Sequence, residues 1–400
     1  MSSQGNHVEH PLEPVFDGRS RVLVLGTMPS PKSREVGFYY GHPRNRFWRV
    51  LAELFDEPVA TKNEWRRDQL LRHHIALWDV LASCDIEGAS DASIANARPN
   101  DLSRILDAAP IEAVFCTGAK SAELYARYCE PVTGMPAVKL PSTSPANAAA
   151  RFEDIVDAYR AILPHLGEFA PGVFDVPEVV ELEQTIARGG TSLAVLMDRA
   201  GCSLAYRVRR GSPNARIAIL CGNGNNGGDG WVAARELAAA GHDVALVTSR
   251  MPKDLKTQPA RDTALEILPA LVEAKVRVLV DPGESELSDA LAQADVVVDA
   301  ILGTGFSGAT VKEPFATWID CTNKRRRQGA RIVSADVPSG LSASTGEASE
   351  PCVTADETVT MIVSKVGLES PAAAPYRGEL RIAPLAYIEP LLEGGVENIG

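Results

Sequence analysis

The sequence predicts an α/β protein of two layered domains, each built on a largely parallel sheet. Three observations carry this. The chain's 400 residues exceed what one hydrophobic core sustains, since cores stop growing beyond about 250 to 300 residues. Short β-branched runs alternate with amphipathic segments along both halves, the pattern of a layered fold with a mostly parallel sheet. Between the halves, helical periodicity fades after Ile162-Leu163, and Gly167, Pro171, Gly172 and Pro177 punctuate the chain before apolar spacing resumes at Val179-Val180 and Leu182. The expected division is therefore residues 1–166, a linker over 167–177, and residues 178–400.

Taken in order, the first half offers strands at Arg21 to Leu25, Ile111 to Cys116 and Ala137 to Leu140, with a helix from Phe47 onward. The second offers strands at Arg216 to Leu220, Asp243 to Val247, Val276 to Val280, Asp295 to Val298 and Ile332 to Ala335, with a helix over the stretch WVAARELAAAG. Ligands of such sheets gather where strands end and turns lead into helices, so those turns are the places to read.

Composition narrows the function classes. An apolar fraction of 45% and a charged fraction of 23% are globular averages. No apolar run reaches the 18 or so residues of a membrane span, and MSSQGNHVEH lacks the basic patch and apolar core of a signal peptide, so a cytoplasmic protein without a membrane partner is expected. The seven cysteines are scattered without Cys-x-x-Cys spacing, which argues against zinc and iron–sulfur sites. A net charge of −12 disfavours nucleic acid for the chain as a whole. One stretch departs from that balance: from Arg19 to Arg49 there are seven basic residues and a single acid, Glu35.

That stretch is also a long turn. After RVLVL come about twenty residues of Gly, Pro and Ser punctuation and then aromatics, and a loop of that length inside a domain is usually functional. Tyr39, Tyr40, Phe47 and Trp48 offer faces for base stacking, while Arg34, Arg44, Arg46 and Arg49 offer phosphate partners. Phe47 and Trp48 equally suit core positions at a helix start. A second turn, LPSTSPANAAA, reads as Ser144 capping a helix that begins at Pro145, an end that can bind an anion.

The ordered motifs GTMPS, YYGHPRNRFW, LWDVL, SDASI, RPNDL and LPSTSPAN, over residues 20–163, resemble the hypoxanthine/uracil-type DNA glycosylases of the uracil-DNA glycosylase superfamily. The resemblance implies a three-layer α/β/α domain that flips a deaminated base from damaged DNA and hydrolyses its N-glycosidic bond without a cofactor. Carried over, Asn45 is the catalytic amide that orients water, with Gly26, Tyr40, His42, Phe47, Ser144 and Asn147 at the substrate. The Asp of the superfamily's water-activating turn and the His of its last motif are absent from the matching turns, which leaves the acid/base residue open. His42 is one alternative proton carrier or a structural loop residue; Asn147 binds phosphate or base, or sits in its helix's first turn.

In the second half, ARIAIL leads into CGNGNNGGDG, and Gly222, Gly224 and Gly227 satisfy G-x-G-x-x-G. A dehydrogenase reading is opposed by Asp229, where a pyrophosphate would approach, and by Ser249-Arg250, where a ribose-binding acid is expected. The runs DAILGTGFSG and DVPSGL likewise set an acid at a strand end before Gly-rich turns. Asn226, Asp299 and Ser339 are hard oxygen ligands suited to an alkali or alkaline-earth cation.

GNGNNGGDG, DAILGTGFSG and DVPSG, preceded by TSLAVLMDRAG, resemble the NAD(P)H-hydrate epimerases over residues 178–380. That resemblance implies a Rossmann-like domain interconverting the R and S forms of hydrated NADH or NADPH. Asn225, Asn226, Gly227, Gly228 and Asp229, together with Gly303, Thr304, Gly305, Phe306, Ser307, Gly308 and Ala309, would bind the nucleotide. Asn226, Asp299 and Ser339 would hold potassium, and Asp336 would be the acid/base. Lys365 either neutralises phosphate, tunes Asp336 or faces solvent. The combined expectation is a bifunctional repair protein whose partners are damaged DNA and hydrated NADH or NADPH, with a homodimer as a candidate assembly. The alternative keeps one or both domains as binding scaffolds, as epimerase-like domains do in RNA-decapping factors.

Overall fold

The computed structural model describes residues 6–88 and 90–393. Backbone contacts divide the chain into two units, Met1–Ala170 with Tyr387–Gly400, and Pro171–Ala386.

The first unit is organised by a four-stranded parallel sheet in the order Ile75–Asp79, Val22–Gly26, Ala113–Thr117, Ala137–Leu140. Val22–Gly26 and Ile75–Asp79 are buried at every position, so both faces are covered, the condition of the middle layer of an α/β/α fold. Helices Phe47–Phe55, Asn63–Arg72, Ala119–Tyr128 and Phe152–Tyr159 supply apolar partners, and one continuous core runs through Leu23, Phe47, Leu51, Leu77, Phe115 and Tyr159. Asn6–Glu9, Leu81–Ile86 and Ala95–Pro99 add a small antiparallel sheet that sequence patterning does not predict.

Three expectations for this unit are corrected. The stretch after Gly26 is not one long loop: Ser30 accepts the N–H of Ser33 at 3.2 Å and caps a short helix, Pro31–Val36, closed by left-handed Gly37. Ser144 does not cap a helix. The 3.2 Å bond from the Ala146 N–H to its hydroxyl closes a turn, and the next helix starts at Phe152 because Arg46 takes the carbonyls of Ala150 at 2.7 Å and Asn147 at 2.8 Å. The segment from Tyr387 does not belong to the second half, because its polar groups are satisfied in the first unit. The Tyr387 hydroxyl donates to Asp17 at 2.5 Å, and Glu389, in the helix Glu389–Glu393, meets buried His74 at 2.7 Å.

The second unit carries a seven-stranded, wholly parallel sheet in the order Arg277–Val280, Asp243–Thr248, Arg216–Cys221, Val296–Ala300, Arg331–Ala335, Glu357–Met361, Glu379–Ala383. Strand order reverses direction between Arg216–Cys221 and Val296–Ala300, the Rossmann-type switch point at which crossover connections part and leave a crevice. Helix Asn225–Ala239 follows the first of these strands and packs on Leu193–Gly211. The predicted strands are present with ends shifted by a residue or two, and Glu357–Met361 and Glu379–Ala383 complete the edge. Among the described residues no helix is long and apolar enough to cross a membrane.

Candidate functional site

In the first unit, the carboxyl ends of the sheet open onto a cavity of about 130 Å³. Gly26 and Thr27 come from the end of Val22–Gly26, Asp79 from the end of Ile75–Asp79, Thr117 from the end of Ala113–Thr117, and Ser142 to Ser144 from the turn after Leu140; Tyr40, Asn45 and Asp91 complete the wall. Gly26 is required here, because a Cβ on it would lie 2.1 Å from the Asp79 Oδ1. Tyr40 has a left-handed backbone at φ 50°, and its hydroxyl lies 2.9 Å from that of Thr117. Burial pushes the Tyr40 phenol well above its ordinary range, so it works as a neutral hydrogen-bonding group. Asn45 accepts the Phe47 N–H on Oδ1 at 2.9 Å, which commits the amide oxygen and leaves its NH₂ as donor. Burial likewise pushes the Asp91 carboxyl up, with Asp79 adding to the rise and Thr27 and Lys120 opposing it.

Several predicted contacts fall elsewhere. Phe47, Tyr39 and Trp48 are core residues: Phe47 has no exposed surface, and its outer face is covered by Tyr40, stacked at 4.0 Å. Of the four aromatics, Tyr40 is the one that lines the cavity beside Asn45; Tyr39 reaches its wall while its hydroxyl donates to the Glu13 carbonyl at 2.9 Å. His42 turns Nδ1 to the Arg44 N–H at 3.1 Å, and Asn147 donates to the Ser142 carbonyl at 2.9 Å; both stabilise turns and neither lines the cavity. Arg46 spends hydrogen bonds on the carbonyls of Ala150 and Asn147, Arg34 on that of Pro29, and Arg49 lies over the Phe152 ring at 4.7 Å, so the basic stretch is partly structural. Asp79 and Asp91 were inside the motifs LWDVL and SDASI, yet spacing alone gave no sign that they converge.

In the second unit the residues named from sequence lie at the ends of three adjacent strands. Asn225 to Asp229 are the opening turns of helix Asn225–Ala239 rather than a loop, a correction whose cause is steric. A Cβ on Gly222 would lie 1.8 Å from the Ile301 carbonyl oxygen, one on Gly227 2.2 Å from the Gly222 oxygen, and one on Gly228 2.5 Å from the Met197 sulfur. These glycines let the helix start against the strand ends; Gly224, with nothing within 4 Å of its Cβ position, is the open one. Gly303 to Ala309 form a mostly exposed stretch, with Gly303 against Asn226, a Cβ there meeting the Asn226 Cβ at 3.2 Å.

Asp299 is fully buried and accepts from the Ser334 hydroxyl at 2.8 Å, the Ser339 N–H at 2.8 Å and the Ser339 hydroxyl. Burial raises its carboxyl, and these donors oppose the rise. Ser339 also accepts the Leu302 N–H at 2.9 Å, and Asn226 donates to the Leu302 carbonyl at 2.8 Å, so the three oxygen-bearing residues meet around Leu302. The Asn226 Oδ1 is buried without a hydrogen-bond partner among the described residues.

Asp336 is held at φ 63°, a strained left-handed conformation for a non-glycine residue. Its Oδ1 accepts from Lys365 Nζ at 2.6 Å, the Thr360 hydroxyl at 3.2 Å and the Met361 N–H at 3.2 Å. Lys365 is 1% exposed and donates also to Thr360 at 2.9 Å and the Met361 carbonyl at 2.8 Å, which removes the solvent-facing alternative. Burial pushes the Asp229 carboxyl well above its ordinary range, with Asp336 and Glu183 adding and Lys365 opposing. Glu183, from helix Val176–Arg188, is raised by burial and by Asp336. It is a member of this electrostatic group that no sequence motif indicated.

The fold and these two sites define a uracil-DNA-glycosylase-like α/β unit followed by a Rossmann-like unit. The model of the Uracil DNA glycosylase superfamily matches residues 13–163, and that of the YjeF-related protein N-terminus matches residues 193–367. An NAD(P)H-hydrate epimerase of Pirellula staleyi is 34% identical over 215 residues, covering 53% of this chain and 90% of that protein. One from Cenarchaeum symbiosum is 34% identical over 226 residues, 55% of this chain and 98% of that protein. The bifunctional NAD(P)H-hydrate repair enzyme of Pyrobaculum aerophilum is 41% identical over 198 residues, 49% of this chain, which spans 38% of that relative's length. Through its second unit the chain belongs to the NAD(P)H-hydrate epimerase family.

Proposed function

We propose that the chain is a bifunctional repair enzyme that epimerises R and S hydrated NADH and NADPH in its second unit and releases deaminated bases, hypoxanthine or uracil, from DNA in its first. The observation that carries the epimerase activity is the partly exposed Asp336 carboxylate paired with buried Lys365 at the carboxyl edge of a parallel sheet. Inverting the hydroxyl-bearing carbon needs a proton moved at reversible loss of that hydroxyl or at ring opening. Lys365, Thr360 and Met361 all bond Oδ1 of Asp336, so Oδ2 is the oxygen assigned to proton exchange with the substrate. The Gly303 to Ala309 stretch and the start of helix Asn225–Ala239 would receive the nucleotide's phosphates.

Potassium suits the oxygen set of Asn226, Asp299 and Ser339, and the partnerless Asn226 Oδ1 is the atom that favours a cation there. Bound, it would supply a fixed positive charge between strand ends that are otherwise acidic. For the glycosylase activity, the support is Asn45 with Tyr40 at a polar cavity of base-like size. Asn45, through its NH₂, would hydrogen-bond the base or the oxygen of the attacking water.

Purified hydrate epimers should equilibrate faster with the protein than without it, and Asp336→Ala should return the rate to background; unchanged rates would favour a binding scaffold. Duplexes containing hypoxanthine, uracil or xanthine should yield alkali-labile sites, with most activity lost in Asn45→Ala. The protein is proposed to act in the cytoplasm, and size-exclusion chromatography tests for a homodimer.

A further inference from the structure

Hydrolysis in the first unit needs a group to take a proton from water, and Asn45 does not supply one. Its only acceptor, Oδ1, is bound to the Phe47 N–H at 2.9 Å, and its nitrogen only donates. Asp79 faces the same cavity from the end of Ile75–Asp79. Its Oδ1 lies over Gly26, while its Oδ2 lies 2.9 Å from Nε2 of His10. Both side chains of that pair are nearly inaccessible, at 3% and 6% exposure. The His10 Nδ1 accepts the Leu12 N–H at 3.2 Å, so the neutral ring carries its proton on Nε2 and donates it to Asp79. Trp78, edge-on with centroids 6.3 Å apart, and Tyr39, at 6.2 Å, hold the imidazole plane. His10 precedes the segment matched by the superfamily model, residues 13–163.

We propose that Asp79 accepts the proton of the attacking water in the first unit, and that His10 is the positioning residue that fixes its carboxylate. This rests on the glycosylase reading above. Water forms a bond from its oxygen to sugar C1′, and the C1′–N bond breaks with its electron pair leaving on the base. One water proton passes to Asp79, which returns it to solvent, and the departing base takes a proton from solvent, so charge is restored.

The test measures base release and binding on hypoxanthine- and uracil-containing duplexes with the full chain. Asp79→Asn should lower kcat about 100-fold or more, the range of general-base catalysis, with KM within a few-fold of wild type. His10→Ala should lower kcat about 10-fold or more, with His10→Gln, whose amide N–H reaches the same carboxylate, recovering most of it. Binding to a duplex carrying a stable abasic-site analogue should stay unchanged in all three. An active wild type with Asp79→Asn inside about 3-fold of it, on the same scale, overturns the assignment. So does failure of His10→Gln to exceed His10→Ala, a comparison that decides the matter even if Asp79→Asn unfolds. A wild type that releases neither base overturns the glycosylase reading and this assignment with it, an outcome distinct from an active enzyme indifferent to Asp79.

Discussion

Replacing Lys365 by Met keeps the length and apolar stem of the side chain but removes the ammonium that bridges Asp336, Thr360 and the Met361 carbonyl at 2.6, 2.9 and 2.8 Å. The carboxylate left behind retains the Thr360 hydroxyl and the Met361 N–H, and loses its only opposite charge in the pair. Breaking a buried ion pair from one side costs about 3–5 kcal/mol, and because the Asp336 side chain keeps 14% exposure the cost here falls at the lower end of that range. For a domain of this size a kcal/mol corresponds to about 2–4 °C, so the second unit should melt about 10 °C lower. Scanning calorimetry on the full chain reads this, with the first unit's transition as internal reference. The double variant Asp336→Asn/Lys365→Met, which leaves no unpaired charge, should melt well above the single one. A shift under about 2 °C, or a double variant no more stable than Lys365→Met, would show that the pair is not what holds this corner of the fold.

Two further outcomes follow from the packing. Gly222→Ala drives a Cβ to within 1.8 Å of the Ile301 oxygen and should cost about 1–3 kcal/mol in urea unfolding, whereas Gly224→Ala, with open space around it, should stay within about 1 kcal/mol of wild type. In the first unit, burial pushes Glu57 up, but Arg72 and His73 more than reverse this and bring it down to about 2 from 4.5. A depressed carboxyl stabilises fully above its unfolded pKa and loses that contribution as pH falls through the folded one. About 3 kcal/mol should therefore disappear between about pH 4.5 and 2, and Glu57→Gln should flatten that part of a stability-versus-pH curve.

The strands of the second unit were legible because runs such as Arg216-Ile-Ala-Ile-Leu need no context: apolar, β-branched and bounded by turns. Ile75–Asp79 escaped that reading since its apolar run is only four residues long and ends at Asp79, although every position is buried. The Asn-Gly run before Trp231 looked like a loop because glycine disfavours helices; what overrides the propensity is close approach to strand ends, a tertiary effect. Asn45, Asp299 and Asp336 were visible through motif order. Lys365 was ambiguous because its ammonium's burial depends on Asp336, remote in sequence, and on a turn that brings the Thr360 hydroxyl and the Met361 carbonyl to it. His10 gave no sequence signal at all: the second of two histidines in a polar opening stretch acquires meaning only when Asp79 lies 2.9 Å away.

The attachment of Tyr387 and Glu389 to Asp17 and His74 has a consequence for synthesis. A polypeptide emerging from the ribosome can form the parallel sheet of its leading unit early, yet His74 stays without its carboxylate until residue 389 has been polymerised. Nascent chains stalled short of that point would carry an unfinished unit, open to proteases at the surface that helix Glu389–Glu393 covers. Synthesis as far as Glu389 thus becomes a folding step for a unit whose sheet was translated about 250 residues earlier.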